Sequence, residues 1–189
     1  MRILGVDPGL TRLGVGVVDN PRARDVVLVS VTVLTTPTDW EPPQRLHTLQ
    51  QGVAALLDEF SPDRVVIERV FAQHNVRTVM GTAQASGLVM ALAHERGIPV
   101  SHRTPSEVKA AVTGYGGAKK PQVQAMVKTI LGLDEIPKPA DAADALALAI
   151  TEAWRGGQIA TPTASGSETP AQRAWREAIR ATGQNRLKG

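Results

Sequence analysis

Four carboxylates in this chain stand where chemistry could be done. Asp7 follows the apolar run Ile3-Leu4-Gly5-Val6, and Glu68 follows Val65-Val66-Ile67. Asp141 and Asp144 are three residues apart, which puts both on one face of a helix. A carboxylate directly after a buried apolar run is costly without a partner. If all four converge, they repel one another and stay ionised together only with cations between them. The chain contains no cysteine, and His47, His94 and His102 lack metal-ligand spacing. The donors are therefore hard oxygens, which suit Mg²⁺ or Mn²⁺ over Zn²⁺. Two such ions roughly 4 Å apart can clamp a phosphodiester, one activating water and the other stabilising the leaving oxygen. Metal-assisted phosphodiester hydrolysis with two ions per site is the chemistry this set predicts. Each residue also has a plainer explanation. Asp7 and Glu68 could be solvated loop residues, and acidic side chains are ordinary in the first turn of a helix.

The elements that must position these groups are legible in outline. Residues 2–6, 14–18 and 26–34 predict three strands close enough in sequence for an antiparallel meander. Leu46, Leu49, Val53, Leu56, Leu57 and Phe60 recur at helical spacing, and Ser61-Pro62 ends that helix. Residues 65–67 predict a buried strand reached by a helical crossover, so it should pair parallel with the first. A polar loop over 69–75 precedes a helix to about Arg96, then a short strand over 98–101. Thr104-Pro105-Ser106-Glu107 has the form of a helix start. After the loop Gly114-Tyr115-Gly116-Gly117, a helix is expected over 121–131, and an Ala-rich one over 140–154. The last is apolar nearly all round and should be buried. The expected fold is α/β, a mixed five-stranded sheet flanked by helices, with the site at the carboxyl ends of strands.

Bulk properties narrow the field further. The 189 residues fit one domain plus a tail, here 1–155 and a flexible 156–189 rich in Gly, Ser, Thr and Pro at its start. A short helix around Trp175 and Ile179 would be marginal alone. With aromatic residues at 3%, the core must rest on Val, Leu, Ile and Ala. Disulfides and thiolate chemistry are excluded, and a reducing, cytoplasmic setting is expected. The opening residues predict no secretory leader, and no apolar run is long enough for a membrane span. A net charge of +3 is compatible with nucleic acid.

The segments Asp7-Pro8-Gly9-Leu10-Thr11-Arg12-Leu13-Gly14, Ile67-Glu68-Arg69-Val70-Phe71 and Asp141-Ala142-Ala143-Asp144-Ala145 together resemble the RuvC family of Holliday-junction resolvases. Gly81-Thr82-Ala83-Gln84-Ala85-Ser86-Gly87 and Pro105-Ser106-Glu107-Val108-Lys109 resemble the same family. The resemblance runs over residues 1 to about 155. It implies an RNase H-like fold and a homodimer, with the helix after residue 76 as the suspected contact. It implies paired nicks in opposed strands of a four-way DNA junction with Mg²⁺, and cooperation with a branch-migration helicase complex in recombination and repair. Asp7, Glu68, Asp141 and Asp144 match the family's metal-binding catalytic positions.

Candidate DNA contacts follow the same resemblance. Phe71 beside Arg69 matches an aromatic that probes the junction, and base stacking is worth roughly 1–3 kcal/mol. Lys119 and Lys120 open a helix, a good place to meet phosphate. Lys109 and Lys120 match basic DNA-contacting positions, while Arg77 and Arg103 are weaker candidates and His74 is a loop residue. Three alternatives stay open: another RNase H-like nuclease acting on RNA or hybrid, an actin-like phosphotransferase using Asp7-x-Gly-x-Thr11, and a non-catalytic junction-binding module.

Overall fold

The computed structural model describes residues 1–22, 24–69 and 76–155, with the side chains of 76–78 outside the description. Five strands, β1 (Arg2–Asp7), β2 (Arg12–Arg22), β3 (Asp25–Thr35), β4 (Arg64–Glu68) and β5 (Val100–Arg103), form one sheet in the order β3-β2-β1-β4-β5. β1, β2 and β3 run as an antiparallel meander, and β1 pairs parallel with β4, as β4 does with β5. The predicted mixed five-stranded sheet is the one observed. Its helices are α1 (Pro42–Phe60), α2 (Val76–Glu95), α3 (Pro105–Thr113), α4 (Lys120–Leu131) and α5 (Ala140–Arg155). Among the described residues, no helix is long and apolar enough to cross a membrane.

Alternation along the strands sorts side chains between two cores. Leu4 and Val6, Leu13, Val15 and Val17, and Val65 and Ile67 pack against Leu49, Val53 and Leu57 of α1 and Ala85 and Val89 of α2. Ile3, Val18 and Val66 face the opposite way, toward α3, α4 and α5. Successive strand residues point to opposite faces, so Asp7 shares its face with Ile3, and Glu68 with Val66. Both carboxylates therefore lie on the side occupied by α5.

The contact between α5 and the sheet is unusually close. A Cβ on Gly16 would sit 2.8 Å from the Leu146 backbone nitrogen, one on Gly5 2.8 Å from the Ala149 nitrogen, and one on Gly14 2.8 Å from the Asp141 carbonyl carbon. The helix answers with small residues, and Ala142, Ala143, Ala145, Ala147 and Ala149 are all buried. Backbone rests on backbone here, with no side-chain layer between.

β2 runs longer than the expected 14–18, and the boundary of β5 is shifted. β5 begins at Val100, two residues later than expected. Ile98 belongs to the end of α2: its N–H donates to the Ala93 carbonyl at 2.9 Å, around Gly97 at φ +68°. This six-to-one bond is how a helix satisfies its last carbonyls. The helix start at Thr104 holds. Its hydroxyl accepts from the Glu107 N–H at 3.2 Å, while the Glu107 carboxylate accepts from the Thr104 N–H at 2.8 Å. The tail 156–189 and the expected helix within it lie outside the described residues.

Candidate active site

β1 and β4 deliver the first two carboxylates side by side. Val6 pairs with Ile67 in their parallel register, so the next row holds Asp7 and Glu68. Across the antiparallel pairing, Asp7 stands opposite Gly14. The missing side chain there is what admits the first turn of α5, bringing Asp141 and Asp144 over the strand ends. The four acidic groups are close enough for each of the buried pair to feel its neighbours' charge.

The electrostatics of the strand-borne pair record that crowding. Burial pushes the Asp7 carboxyl up to about 7, assisted by the negative charges of Glu68, Asp144 and Asp141 and opposed by Lys120. Burial also raises Glu68, with Asp144 adding to it while Lys120 and Lys109 pull the other way. The helix-borne pair is half-buried like the strand-borne pair, and each of its members touches a cation. Lys120 Nζ lies 2.6 Å from Asp144 Oδ2, and Arg12 Nε lies 3.1 Å from Asp141 Oδ2. Partial burial works to lower the Lys120 ammonium, but its hydrogen bond to Asp144 and the fields of Asp144, Asp7 and Asp141 outweigh that and raise it.

The expected residues distribute unevenly. Asp7, Glu68, Asp141, Asp144 and Lys120 meet at one site, and Lys109 on α3 is near enough for its charge to act on Glu68. Lys119 is exposed at the start of α4 with no contact to the carboxylates. Arg69 is exposed beside Glu68, its N–H donating to the Arg103 carbonyl at 2.8 Å. Arg103 turns inward instead, half-buried with Nη2 2.6 Å from Oε2 of the buried Glu152. Phe71, His74 and the side chain of Arg77 lie outside the described residues.

Two features have no counterpart among the sequence candidates. Arg12 reaches Asp141, and its place in the turn after Asp7 is the one signal that could have pointed to it. The second is a cleft of roughly 750 Å³ beside the site, bordered by Arg12, Trp40, Arg45, Met80, Gln84 and Asp141. It touches a single one of the four carboxylates, so the acidic cluster is its neighbour and not its floor. Arg45 braces the rim by donating to the Thr11 hydroxyl at 2.6 Å and the Thr36 hydroxyl at 2.9 Å.

A β3-β2-β1-β4-β5 sheet with one acidic residue ending β1, another ending β4 and a second acidic pair at the start of α5 defines an RNase H-like protein. Its structural likeness extends over most of the chain to Thermus thermophilus RuvC in complex with Holliday junction substrate. That match has a TM-score of 0.78 and 36% identity, covering 82% of this chain and 94% of the other. The family model described as crossover junction endodeoxyribonuclease RuvC matches residues 3–152, and the chain belongs to the RuvC family. A protein of that description from Leifsonia xyli subsp. xyli is 58% identical, over 96% of this chain and 93% of its own. Another, from Nocardioides sp., is 62% identical over 83% and 89% respectively.

Membership in this nuclease family carries with it the use of a divalent metal, and the donor set fits one. All four groups are hard oxygens, and Asp7 and Glu68 are crowded by negative charge that the nearby lysines do not offset. Among the described residues, no three acidic or imidazole groups already surround a common ion position. On the helix side, Lys120 and Arg12 each hold a carboxylate oxygen that an ion would need.

Proposed function

We propose that this chain is a structure-selective endodeoxyribonuclease that resolves four-way DNA junctions by paired nicks, as part of recombination and repair. The observation that carries the proposal is the convergence of Asp7, Glu68, Asp141 and Asp144 at one end of α5, in a chain of this family. These four residues hold Mg²⁺, with Mn²⁺ able to substitute, at two ions per site. When bound, the ions supply Lewis-acid activation of the attacking water and stabilisation of the leaving oxygen. The chain's own residues do the rest. Partial burial of Asp7 and Glu68 strengthens their attraction for the cations between them. Lys120 and Arg12 occupy the helix-borne carboxylates until an ion takes their place, and offer positive charge to an approaching phosphate. Lys109, Lys119 and Arg69 line the approach, and Phe71 and Arg77 are assigned to the same DNA surface.

The same proposal makes the working protein a homodimer, since two opposed strands need two sites, and gives it a branch-migration helicase as partner in the cytoplasm. It assigns the nuclease activity to residues 1–155. The test is incubation with a synthetic four-way junction, a linear duplex and an RNA–DNA hybrid, each with Mg²⁺ or with chelator. Symmetric nicks in the junction alone, lost with chelator, are expected. Cleavage of the hybrid instead would move the protein to another nuclease branch.

A further inference from the structure

The loop between α3 and α4 carries the chain's single tyrosine. Tyr115 is 69% exposed, more than any other large apolar side chain among the described residues. An isolated exposed aromatic is ordinary, but this one is held in place. Its N–H donates to the Thr113 hydroxyl at 3.2 Å, and its carbonyl accepts from the Ala118 N–H at 3.1 Å. The ring is folded back over Gly117: a Cβ there would lie 2.6 Å from both Cζ and the hydroxyl oxygen. One side of the ring therefore rests on glycine backbone while the other is open. No described residue gives the hydroxyl a hydrogen bond.

The surroundings give this platform a direction. Lys109 lies on the helix before the loop, and its charge acts on Glu68. Lys119 and Lys120 follow the loop, and Lys120 reaches Asp144. An open aromatic face flanked by lysines that lead into a carboxylate site matches the chemistry of a nucleotide, with a base to stack and a phosphate to neutralise. We propose that Tyr115 is a nucleotide-stacking residue, its open face receiving a base of the DNA strand that enters the carboxylate site between these lysines. The proposal rests on the reading of this chain as a DNA endonuclease and adds a contact to it.

Gly117 supplies an unusual control. Its φ is not in the left-handed region, so alanine is tolerated by the backbone, and the atoms it would strike are the far end of the Tyr115 side chain. Gly117→Ala should thus move the ring while keeping every atom of it. The experiment measures binding of a synthetic four-way junction to the full-length protein in chelator, for the parent chain, Tyr115→Ala, Tyr115→Phe and Gly117→Ala. Tyr115→Ala is expected to weaken binding by about fivefold to a hundredfold. Tyr115→Phe should recover most of that loss, and Gly117→Ala should weaken binding although the tyrosine is intact. As an independent readout, nitration of the single tyrosine by tetranitromethane should slow when the junction is bound.

Unchanged affinity in Tyr115→Ala, together with unchanged nitration, would overturn the stacking role and leave the nuclease assignment standing. Equal losses in Tyr115→Ala and Tyr115→Phe would also overturn it, by placing the contact on the hydroxyl. Failure of the parent protein to prefer the junction over duplex would instead remove the nuclease reading, and this inference with it.

Discussion

At its N-terminal end α5 carries Asp141 and Asp144, 23% and 28% exposed, each held by one side chain that solvent also reaches. At its other end Glu152 is wholly buried between two arginines, Arg64 at 3.2 Å and Arg103 at 2.6 Å. Both ends pair carboxylates with cations, yet they serve opposite purposes. Arg12 is 59% exposed and can leave Asp141 for water or phosphate at little cost. Arg64 and Arg103 cannot leave Glu152 without stranding charge in the core. The helix thus has an exchangeable end, where on the proposed reading a metal ion takes the cation's place, and a locked end that fixes it against β4 and β5. Arg64, Val66 and Glu68 share one face of β4, so the strand that supplies a site carboxylate is the one clamped at the far end.

The sharpest way to break this contrast is at the exchangeable end. Asp7→Asn should cut junction cleavage by about a thousandfold, equivalent to about 4 kcal/mol of transition-state stabilisation. The same change relieves the crowding of negative charge, so the metal-free protein should melt no lower than the parent. A lower melting temperature in that variant would mean that Asp7 supports the fold. At the locked end the signs reverse. Glu152→Gln leaves two arginines facing a neutral group, and urea unfolding should register a loss of about 3 kcal/mol. Calorimetric Mg²⁺ affinity of the folded variant should stay near the parent value, and a large fall there would erase the distinction between the ends.

Between the two ends lies the glycine contact. Gly14→Ala forces the Asp141 backbone away from β2, and overpacking of this kind costs about 2 kcal/mol. Cleavage should fall in proportion to more than the stability loss, because the displaced element is the one bearing the carboxylates. pH gives a gentler probe. Asp7 binds its proton more tightly in the folded state, at about 7 against an ordinary 3.8. Stability from this group is therefore complete below about pH 4 and is lost as pH rises through 7. Thermal melts of metal-free protein should fall across that window, and saturating Mg²⁺ should flatten the slope by favouring the ionised form. The smallest effect is expected from Arg12→Ala. It should alter stability by less than about 1 kcal/mol while raising Mg²⁺ affinity severalfold, since Asp141 loses a competitor. Weaker ion binding in that variant would show Arg12 organising the site instead of filling it.

Much of the exchangeable end is legible in the residues themselves. Asp7 and Glu68 terminate apolar runs, and strand alternation then fixes which face they share. The Asp141–Asp144 spacing and the alanines that follow announce a buried helix with an acidic start. The locked end is silent in sequence for a physical reason. Glu152 sits in an apolar helix 88 positions from Arg64, and nothing local distinguishes a paired buried glutamate from a solvated one. Arg103, expected near DNA, is drawn inward by that same unannounced partner. Lys120 was reachable from its helix-start position, but its grip on Asp144 depends on how α4 and α5 pack. The two-residue shift of β5 has a local origin, because Ile98 reads as a strand residue while its N–H is claimed by the end of α2.

The glycine contact also governs how the protein can vary. Where helices meet a sheet through side chains, as α1 and α2 do over the leucines and valines of β1, β2 and β4, a change in side-chain volume is absorbed by a small shift of the helix. Gly5, Gly14 and Gly16 remove that freedom from α5, whose height above the sheet is set by the dimensions of peptide groups. It works as a reference surface does in a machined part: other pieces can be shimmed, and this one is seated metal to metal. Tolerance to substitution is therefore divided unequally between the two faces of one sheet, and the acidic cluster stands on the face with none to spare.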